Sequence, residues 1–498
     1  MLETAFAQLR FALSLGLGRH FHTPSLERLV EAILETQREF GPTAIGAQAA
    51  ETISGPRLDD ATRRDMQLRR FHDQARRGAR ETAYYQRLFA EIGLDPARLT
   101  SADIAELPLT SKDALRGDAD AFVRRGAKPV LRAMTTGTTG WPTSISFSAY
   151  ELKVIVALSA IAFLLDRYLC EEDIVQLNTS SRATLGNIGL AGACAQIGAL
   201  AYLTGVVDPA HTLALLNERH RLPGKKERAS IVSVYPSYLG ELVETGSRLG
   251  YRPADFGLER ILVGGEVVTE GLKDRARRLF GSVTFVQGYA MTETIPFGGT
   301  GCSDGHLHFE PSHGLLEVVD PATRLPTGVG EPGTLVATPF APYRETTLLL
   351  RYNTEDVVRP LAMPLTCTLQ NRAVATSDLL GKLRLAVRHD AGWTFPRDVL
   401  EALEAIDEVP LPARCGFWAV PGGVAVEVVT RGGDGAVARR VIGNQLEACH
   451  VPLRELYLRE HPGELQRPLP LRCDLRETSF RGGSAERQPD QSPVVAGI

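Results

Sequence analysis

With 498 residues the chain is too long for one ordinary hydrophobic core, and its length predicts roughly two to four folding units. Its 55 Lys and Arg nearly balance 59 Asp and Glu, leaving a formal charge of -4, so bulk electrostatics gives no reason to expect a nucleic-acid partner. The 7 cysteines are scattered and form no CxxC pair, which excludes a disulfide framework and fits a reducing, cytoplasmic compartment.

In the first residues Glu3 and Arg10 interrupt apolar positions, the pattern of an amphipathic helix rather than a secretory signal. Leu26, Leu29, Val30, Ile33 and Leu34 recur at helical spacing, and residues 1–60 read as a helical N-terminal extension. From Asp60 the sequence predicts two helices stopping near Gly93. Their arginines alternate with acids and apolar residues, as on a solvated helix face rather than a nucleic-acid surface. Thr110-Ser111-Lys112-Asp113 offers the next helix start.

Thr135-Thr136-Gly137-Thr138-Thr139-Gly140, followed by Trp141-Pro142-Thr143, presents hydroxyls and open backbone N–H groups with almost no apolar surface. Such a run can wrap an anion; by itself it also fits a polar turn between strands. Beyond it lie two apolar runs, 154–165 and 188–207. The first is too short to cross a bilayer and the second is broken by Gln196 and glycines, so both read as buried helix and strand, with no membrane partner.

Strand candidates at 173–177, 201–203, 231–234, 260–263 and 283–286 alternate with helical spacers, which implies parallel pairing with crossovers. Residues 301–350 change to short runs between Pro, Gly and Asp turns, a small β-rich subdomain, and 356–382 reads as an irregular connector. A β/α pattern returns with a strand at 384–387, a helix at 396–405, a strand at 424–429 and a helix at 436–447. The expected fold is α/β. A large N-terminal domain of parallel-rich sheets (61–380, with its β subdomain at about 301–350) precedes a small α+β C-terminal domain (381–476) and a disordered tail (477–498).

Three further stretches carry chemistry. Gly264-Gly265-Glu266 ends one strand, where a glycine pair allows close approach of backbone to a flat ligand. Gly288-Tyr289-Ala290-Met291-Thr292-Glu293 puts an aromatic ring, a hydroxyl and a carboxylate at another strand exit, and Arg351-Tyr352-Asn353-Thr354-Glu355-Asp356 closes a strand-like run on a carboxylate. Each alone also fits a turn, a cap or a core residue.

In order and content these motifs resemble the adenylate-forming superfamily of acyl-CoA synthetases and related ligases. The branch they resemble is that of phenylacetate-CoA ligase, with its capsule-biosynthesis adenylyltransferase relatives. Tyr84-Tyr85-Gln86, Leu107 to Lys112, Tyr235-Pro236-Ser237-Tyr238 and Thr143 extend the likeness, which covers about residues 65 to 400. The resemblance implies that Thr135, Thr136, Gly137, Thr138, Thr139 and Gly140 cradle the β- and γ-phosphates of ATP. Gly264, Gly265 and Glu266 would line the adenine edge and Tyr289 its face. Thr292 would bind the α-phosphate, Glu293 Mg²⁺, and Asp356 the ribose hydroxyls; Lys382 stands where relatives carry an Arg.

The expected product is the acyl-AMP of a small aromatic or apolar carboxylic acid, released with pyrophosphate and passed to CoA, a carrier-protein thiol or an amine. Tyr235, Tyr238, Gly288, Ile295, Pro296 and Phe297 are the expected substrate-pocket residues. A homodimer is what the resemblance suggests.

The C-terminal part departs from that family. Arg384-Leu385 replace its hinge Asp-Asp, Asp390-Ala391-Gly392 replace Arg-Gly-Val, and the segment 463–472, where relatives carry a catalytic lysine, has none. Lys382 is the last lysine in the chain, leaving Arg467 or Arg472 to supply positive charge. Two other readings therefore stand beside the first: AMP transfer to a phenol or an inorganic oxyanion such as nitrite, and a non-catalytic ATP-binding partner. His306, His308 and His313 lie near Cys302, with Cys367 downstream, but Leu369 occupies the second position of the C-x-C that relatives carry. A tetrahedral set is then short by one ligand unless a histidine substitutes, so structural zinc is not expected.

Overall fold

The computed structural model describes residues 2–41, 59–135, 142–181, 183–367, 369, 374–390, 392–432 and 434–472. Thr136, Gly137, Thr138, Thr139 and Gly140, and the expected tail at 477–498, lie outside them.

Two helices, α1 (Leu2–Leu17) and α2 (Thr23–Phe40), open the chain. The periodic residues of α2 are all buried, in one cluster with Val154, Ile161, Val175 and Leu177, so these helices share their core with the large sheet. Then come α3 (Asp60–Glu81), whose N-cap Asp59 accepts from the amides of Ala61 and Thr62, and α4 (Ala83–Ile92), which stops at left-handed Gly93. Short α5 (Ser101–Glu106) and α6 (Lys112–Gly117) follow, the latter capped by Ser111 as its sequence predicts.

A hairpin of β1 (Pro129–Met134) and β2 (Ser144–Ser148) flanks the Thr/Gly run. Next, α7 (Ala149–Leu165), α8 (Thr184–Ile197), α9 (Pro209–Asn217), α10 (Pro236–Leu249) and α11 (Glu270–Phe280) alternate with β3 (Ile174–Asn178), β4 (Leu200–Leu203), β5 (Ile231–Val234), β6 (Arg260–Gly264) and β7 (Thr284–Tyr289). These five strands pair in parallel as the alternation predicts. The run 188–207 is α8 followed by β4. Among the described residues no helix is long and apolar enough to cross a membrane.

Strands β8 (Gly299–Gly301), β9 (His306–Phe309) and β13 (Val374–Ser377) extend the same sheet antiparallel, giving the order β13-β9-β8-β7-β6-β5-β3-β4. A second, four-stranded antiparallel sheet holds β10 (Gly314–Val319), β11 (Gly333–Pro339), β12 (Tyr352–Val358) and β14 (Gly381–Lys382). The stretch 301–350 is therefore shared between two sheets, and 356–382 contains strand rather than an irregular connector. Strands of two to four residues show too little periodicity to be seen in sequence.

After residue 382, Leu383–Leu385 form a 3₁₀ turn where a strand is predicted. The hairpin β15 (Val387–His389) with β16 (Gly392–Thr394), helices α12 (Pro396–Glu404) and α13 (Gly435–Ala448), and a sheet of β17 (Cys415–Val420), β18 (Gly423–Val429) and β19 (Leu453–Arg459) complete the C-terminal unit around its own core.

This unit docks on α10 and α11 through buried polar contacts. Arg275, 5% exposed, donates to the carbonyls of Ile406 (3.2 Å) and Val409 (2.8 Å) and pairs with Glu244 (2.7 Å). Thr269 Oγ1, the cap of α11, donates to Glu404 Oε2 at 2.6 Å. At Gly271 a Cβ would fall 2.5 Å from the nitrogen of Ala405, so only glycine admits α12 this closely.

Candidate active site

The loop flanked by β1 and β2 is closed at its base. Thr135 N donates to the carbonyl of Thr143 (3.0 Å), and Thr143 N donates to Thr135 Oγ1 (3.0 Å). Thr143 Oγ1 also donates to Glu293 Oε1 at 3.0 Å, and Tyr352 OH donates to the same oxygen at 2.8 Å. Glu293 is 2% exposed, and among the described residues its Oε2 accepts no hydrogen bond. One carboxylate oxygen is thus held by two hydroxyls. Burial, reinforced by Glu293, raises the Tyr352 phenol well above its usual range, so Tyr352 acts as donor.

Strand β12 carries both Tyr352 and Asp356, and register places Lys382 of β14 opposite Asp356. Lys382 Nζ lies 2.7 Å from Asp356 Oδ1 and donates to the carbonyl of Thr354 at 3.0 Å; Tyr289 OH donates to Asp356 Oδ2 at 2.9 Å. Burial pulls the Lys382 ammonium down to about 8, with Asp356 opposing the shift.

At the carboxyl ends of β5 and β6, where open α/β sheets hold ligands, a crevice lies against the C-terminal unit. Ser237, Glu266, Asp356, Lys382, Glu404 and Arg472 supply its polar side chains. Gly265 has φ +86°, a conformation that suits glycine, and a Cβ on Gly264 would meet the carbonyl oxygen of Gly288 at 2.6 Å. Both oxygens of Glu266 are engaged: Oε2 accepts from Ser237 N (2.8 Å) and Oε1 from Arg472 N (2.6 Å).

Of the two arginines expected to replace the lysine, Arg472 reaches this crevice, its guanidinium 5.3 Å from the Tyr235 ring centre. Arg467 does not line it: that residue is exposed, and its amide donates to Glu427 Oε1 within the C-terminal unit.

Two sequence expectations meet different geometry. The Tyr289 ring packs in a cluster with Phe297 and Phe309, and Tyr289 is absent from the crevice lining, so the adenine-face role is not displayed. Its hydroxyl serves Asp356 instead. The six pocket candidates are not gathered in one place either. Tyr235 flanks the crevice beside Gly265, but Tyr238 is fully buried, donating to the carbonyl of Val207 (3.0 Å) and pairing with Thr212 Oγ1 (2.7 Å). Phe297 packs near Phe309, Ile295 against the cluster holding Tyr352, Gly288 pairs with Thr300, and the Ile295–Pro296 peptide is cis. Tyr235 caps α10 and Tyr238 lies within it, Ile295 to Phe297 lie on a turn and only Gly288 is in a strand, so nearness to a motif in sequence does not set where these side chains point. Thr292 is half-buried beside Glu293.

The ligand count that argued against zinc is also corrected. Cys302, His306, His308 and Cys367 place their ligand atoms within 4.8 Å of one another, because the β8–β9 hairpin brings His306 beside Cys302. His313 lies elsewhere, against the Tyr343 ring.

A family model described as AMP-binding enzyme matches residues 200–338. The phenylacetate-coenzyme A ligase of Thermus thermophilus is 28% identical over 338 residues, 66% of this chain and 72% of that protein. The enzyme of the same name from Aromatoleum evansii is 24% identical, over 60% of this chain and 66% of that protein. In fold, the chain is similar to 2-hydroxyisobutyryl-CoA ligase in its postadenylation state, with a TM-score of 0.68 at 19% identity over 82% of this chain and 88% of that one. The same ligase in its thioesterification state gives 0.57, at 19% identity and with the same coverage. Residues 200–338 thus match the AMP-binding enzyme family, and about two thirds of the chain is similar in sequence to phenylacetate-coenzyme A ligases.

Proposed function

We propose that this protein activates a small aromatic or apolar carboxylic acid with ATP, forming its acyl-AMP, and then passes the acyl group to CoA. The observation that carries the reading is the hydrogen-bonded chain from the loop base (Thr135, Thr143) through Glu293 to Tyr352, with Asp356 on the same strand. In the first step a carboxylate oxygen of the acid attacks the α-phosphorus, and the bond to the bridging oxygen of the β-phosphate breaks, releasing pyrophosphate. In the second, a thiolate sulfur attacks the acyl carbonyl carbon and AMP leaves.

Such transfers need alignment and charge compensation more than a protein nucleophile. Glu293 fits Mg²⁺, a hard cation that takes one or two carboxylates and fills its shell with phosphate oxygens; when bound, Mg²⁺ neutralises phosphate charge. Asp356, still able to accept beyond Tyr289 and Lys382, is suited to ribose hydroxyls. Arg472 and Lys382 are the cations in the crevice available in place of the absent lysine. Pro236, Leu379, Leu400, Pro412, Leu469 and Leu471 give the crevice apolar walls, which favours an apolar acid. The names of the sequence relatives point the same way.

The test uses the full-length protein with ATP and Mg²⁺ and a panel of arylacetic, benzoic and short aliphatic acids, with phenols and nitrite as non-carboxylate acceptors. Acid-dependent pyrophosphate release with hydroxylamine-trappable acyl-AMP is expected. Release with phenol or nitrite alone would replace the carboxylate reading. Tight ATP binding without turnover on any member would remove the enzymatic one.

A further inference from the structure

We propose that Cys302, His306, His308 and Cys367 form a structural zinc site that clips the chain leading into the crevice onto the edge of the large sheet. The four residues come from two places in the sequence. Cys302 and His306 face each other across the β8–β9 turn, where Cys302 N donates to the carbonyl of His306 at 3.0 Å and Gly305 supplies the left-handed position. His308 lies two residues further along β9 and so shares a face with His306. Cys367 arrives from the segment between β12 and β13 and places its Sγ 3.2 Å from His308 Nε2.

The chemistry of this set is that of a zinc centre. Two thiols and two imidazoles are the borderline-soft donors zinc selects over magnesium or calcium. With Zn–S near 2.3 Å and Zn–N near 2.0 Å, the edges of a tetrahedron run from about 3.3 to 3.8 Å. The sulfur–nitrogen distance of 3.2 Å already sits near that range, and the whole set lies within 4.8 Å. Cys367 and His308 are buried, while Cys302 and His306 are half-buried, so the cluster is a pocket at a sheet edge rather than an open surface patch. The Nδ1 of His306 is buried and has no hydrogen-bond partner among the described residues, as expected of a nitrogen awaiting a ligand. Four protein donors leave no open position, which makes the site structural rather than catalytic.

Its place in the fold defines its role. β13 pairs with β9 in the register Ser377↔His306, so the clip fixes the β9–β13 edge at the point where Cys367 approaches. Directly after β13, Asp378 accepts from Gln287 Nε2 at 2.6 Å and pairs with Arg397 of α12 at 2.7 Å, and the chain then reaches Lys382. Zinc would thus hold the strand from which the crevice lysine departs. Its binding displaces the two thiol protons to solvent and involves no redox change.

The experiment measures metal in the full-length protein. Elemental analysis of protein purified without chelator should give about one zinc per chain. After chelation, titration with Co²⁺ should produce the thiolate charge-transfer band and the intense visible bands of tetrahedral cobalt. Cys302→Ser and His306→Ala should lose bound zinc and the cobalt spectrum, while Cys170→Ser, which removes an exposed thiol outside the cluster, should keep both. If the cluster variants fail to fold, the cobalt titration of metal-stripped wild type, with circular dichroism recorded alongside, decides alone. A folded wild-type chain that takes up no stoichiometric zinc or cobalt, a Cys302–Cys367 disulfide found by thiol counting, or metal loss on Cys170→Ser would each overturn the site.

Discussion

The sharpest expectation concerns Lys382. Its ammonium is half-buried and lies 2.7 Å from Asp356, and desolvation outweighs that carboxylate to bring it down to about 8. If the first half-reaction needs the charged form, kcat/KM for ATP, which reports the free enzyme, must fall once pH passes about 8. One pH unit above the midpoint about a tenth of the ammonium remains, so a tenfold loss is expected between the plateau and about pH 9. Acid-dependent pyrophosphate release measures it. Lys382→Arg should flatten the alkaline fall, because guanidinium stays protonated throughout, although its planar fork will lower the plateau. Lys382→Met leaves Asp356 buried with only Tyr289 as partner and should cost roughly 3–5 kcal/mol of stability together with most activity. A wild-type profile flat to about pH 9 and superimposable on that of Lys382→Arg would refute the reasoning.

Other outcomes follow from the same geometry. Glu293→Gln keeps the acceptor for Thr143 and Tyr352 but loses the charge offered to the metal; Mg²⁺-dependent turnover should drop by about 10²- to 10³-fold with an unchanged melting curve. Glu404 is buried and raised to about 7 from the usual 4.5, so the folded state holds its proton across that window and stability falls as pH rises through it, by up to about 3 kcal/mol. Glu404→Gln should abolish that slope in urea midpoints taken on either side of the window. Gly271→Ala gains about 1 kcal/mol of helix propensity but sets a Cβ 2.5 Å from Ala405 N; undocking of α12 should outweigh the gain and speed limited proteolysis between the two units, and slower cleavage would contradict the packing argument.

How much of this was legible in sequence follows from what each feature depends on. The strands at 231–234 and 260–264 announce themselves because each is a short run rich in Ile, Val and Leu between helical spacers, the mark of a parallel strand. Gly381–Lys382 is a strand only because register sets it against Asp356 and Val357, and two residues carry no period. Glu293 and Asp356 stand out as motif carboxylates, whereas Thr143 and Tyr352, the residues that hold Glu293, can be assigned only once the two chain segments meet. The cluster's ligands were undercounted for the same reason. Counting C-x-C positions finds a gap at Leu369, while a hairpin turn puts His306 beside Cys302.

Lys382 and Arg472 also reach the crevice differently, and that difference bears on what each can do. Lys382 is fixed by the fold: β14 pairs with β12, and Asp356 and the Thr354 carbonyl hold the ammonium. Arg472 depends on the docking of the C-terminal unit and is anchored by its own amide on Glu266 and by the Tyr235 ring. A change that loosens docking, such as Gly271→Ala, removes Arg472 from the site but leaves Lys382 in place. If Lys382 alone compensates for the missing lysine, that variant keeps pyrophosphate release while losing stability. If Arg472 is required, release falls in step with undocking. Comparing activity with proteolytic rate in Gly271→Ala, and with Arg472→Gln in which docking is intact, separates the two cations. Equal loss of activity in both variants assigns the role to Arg472, and retention in both assigns it to Lys382.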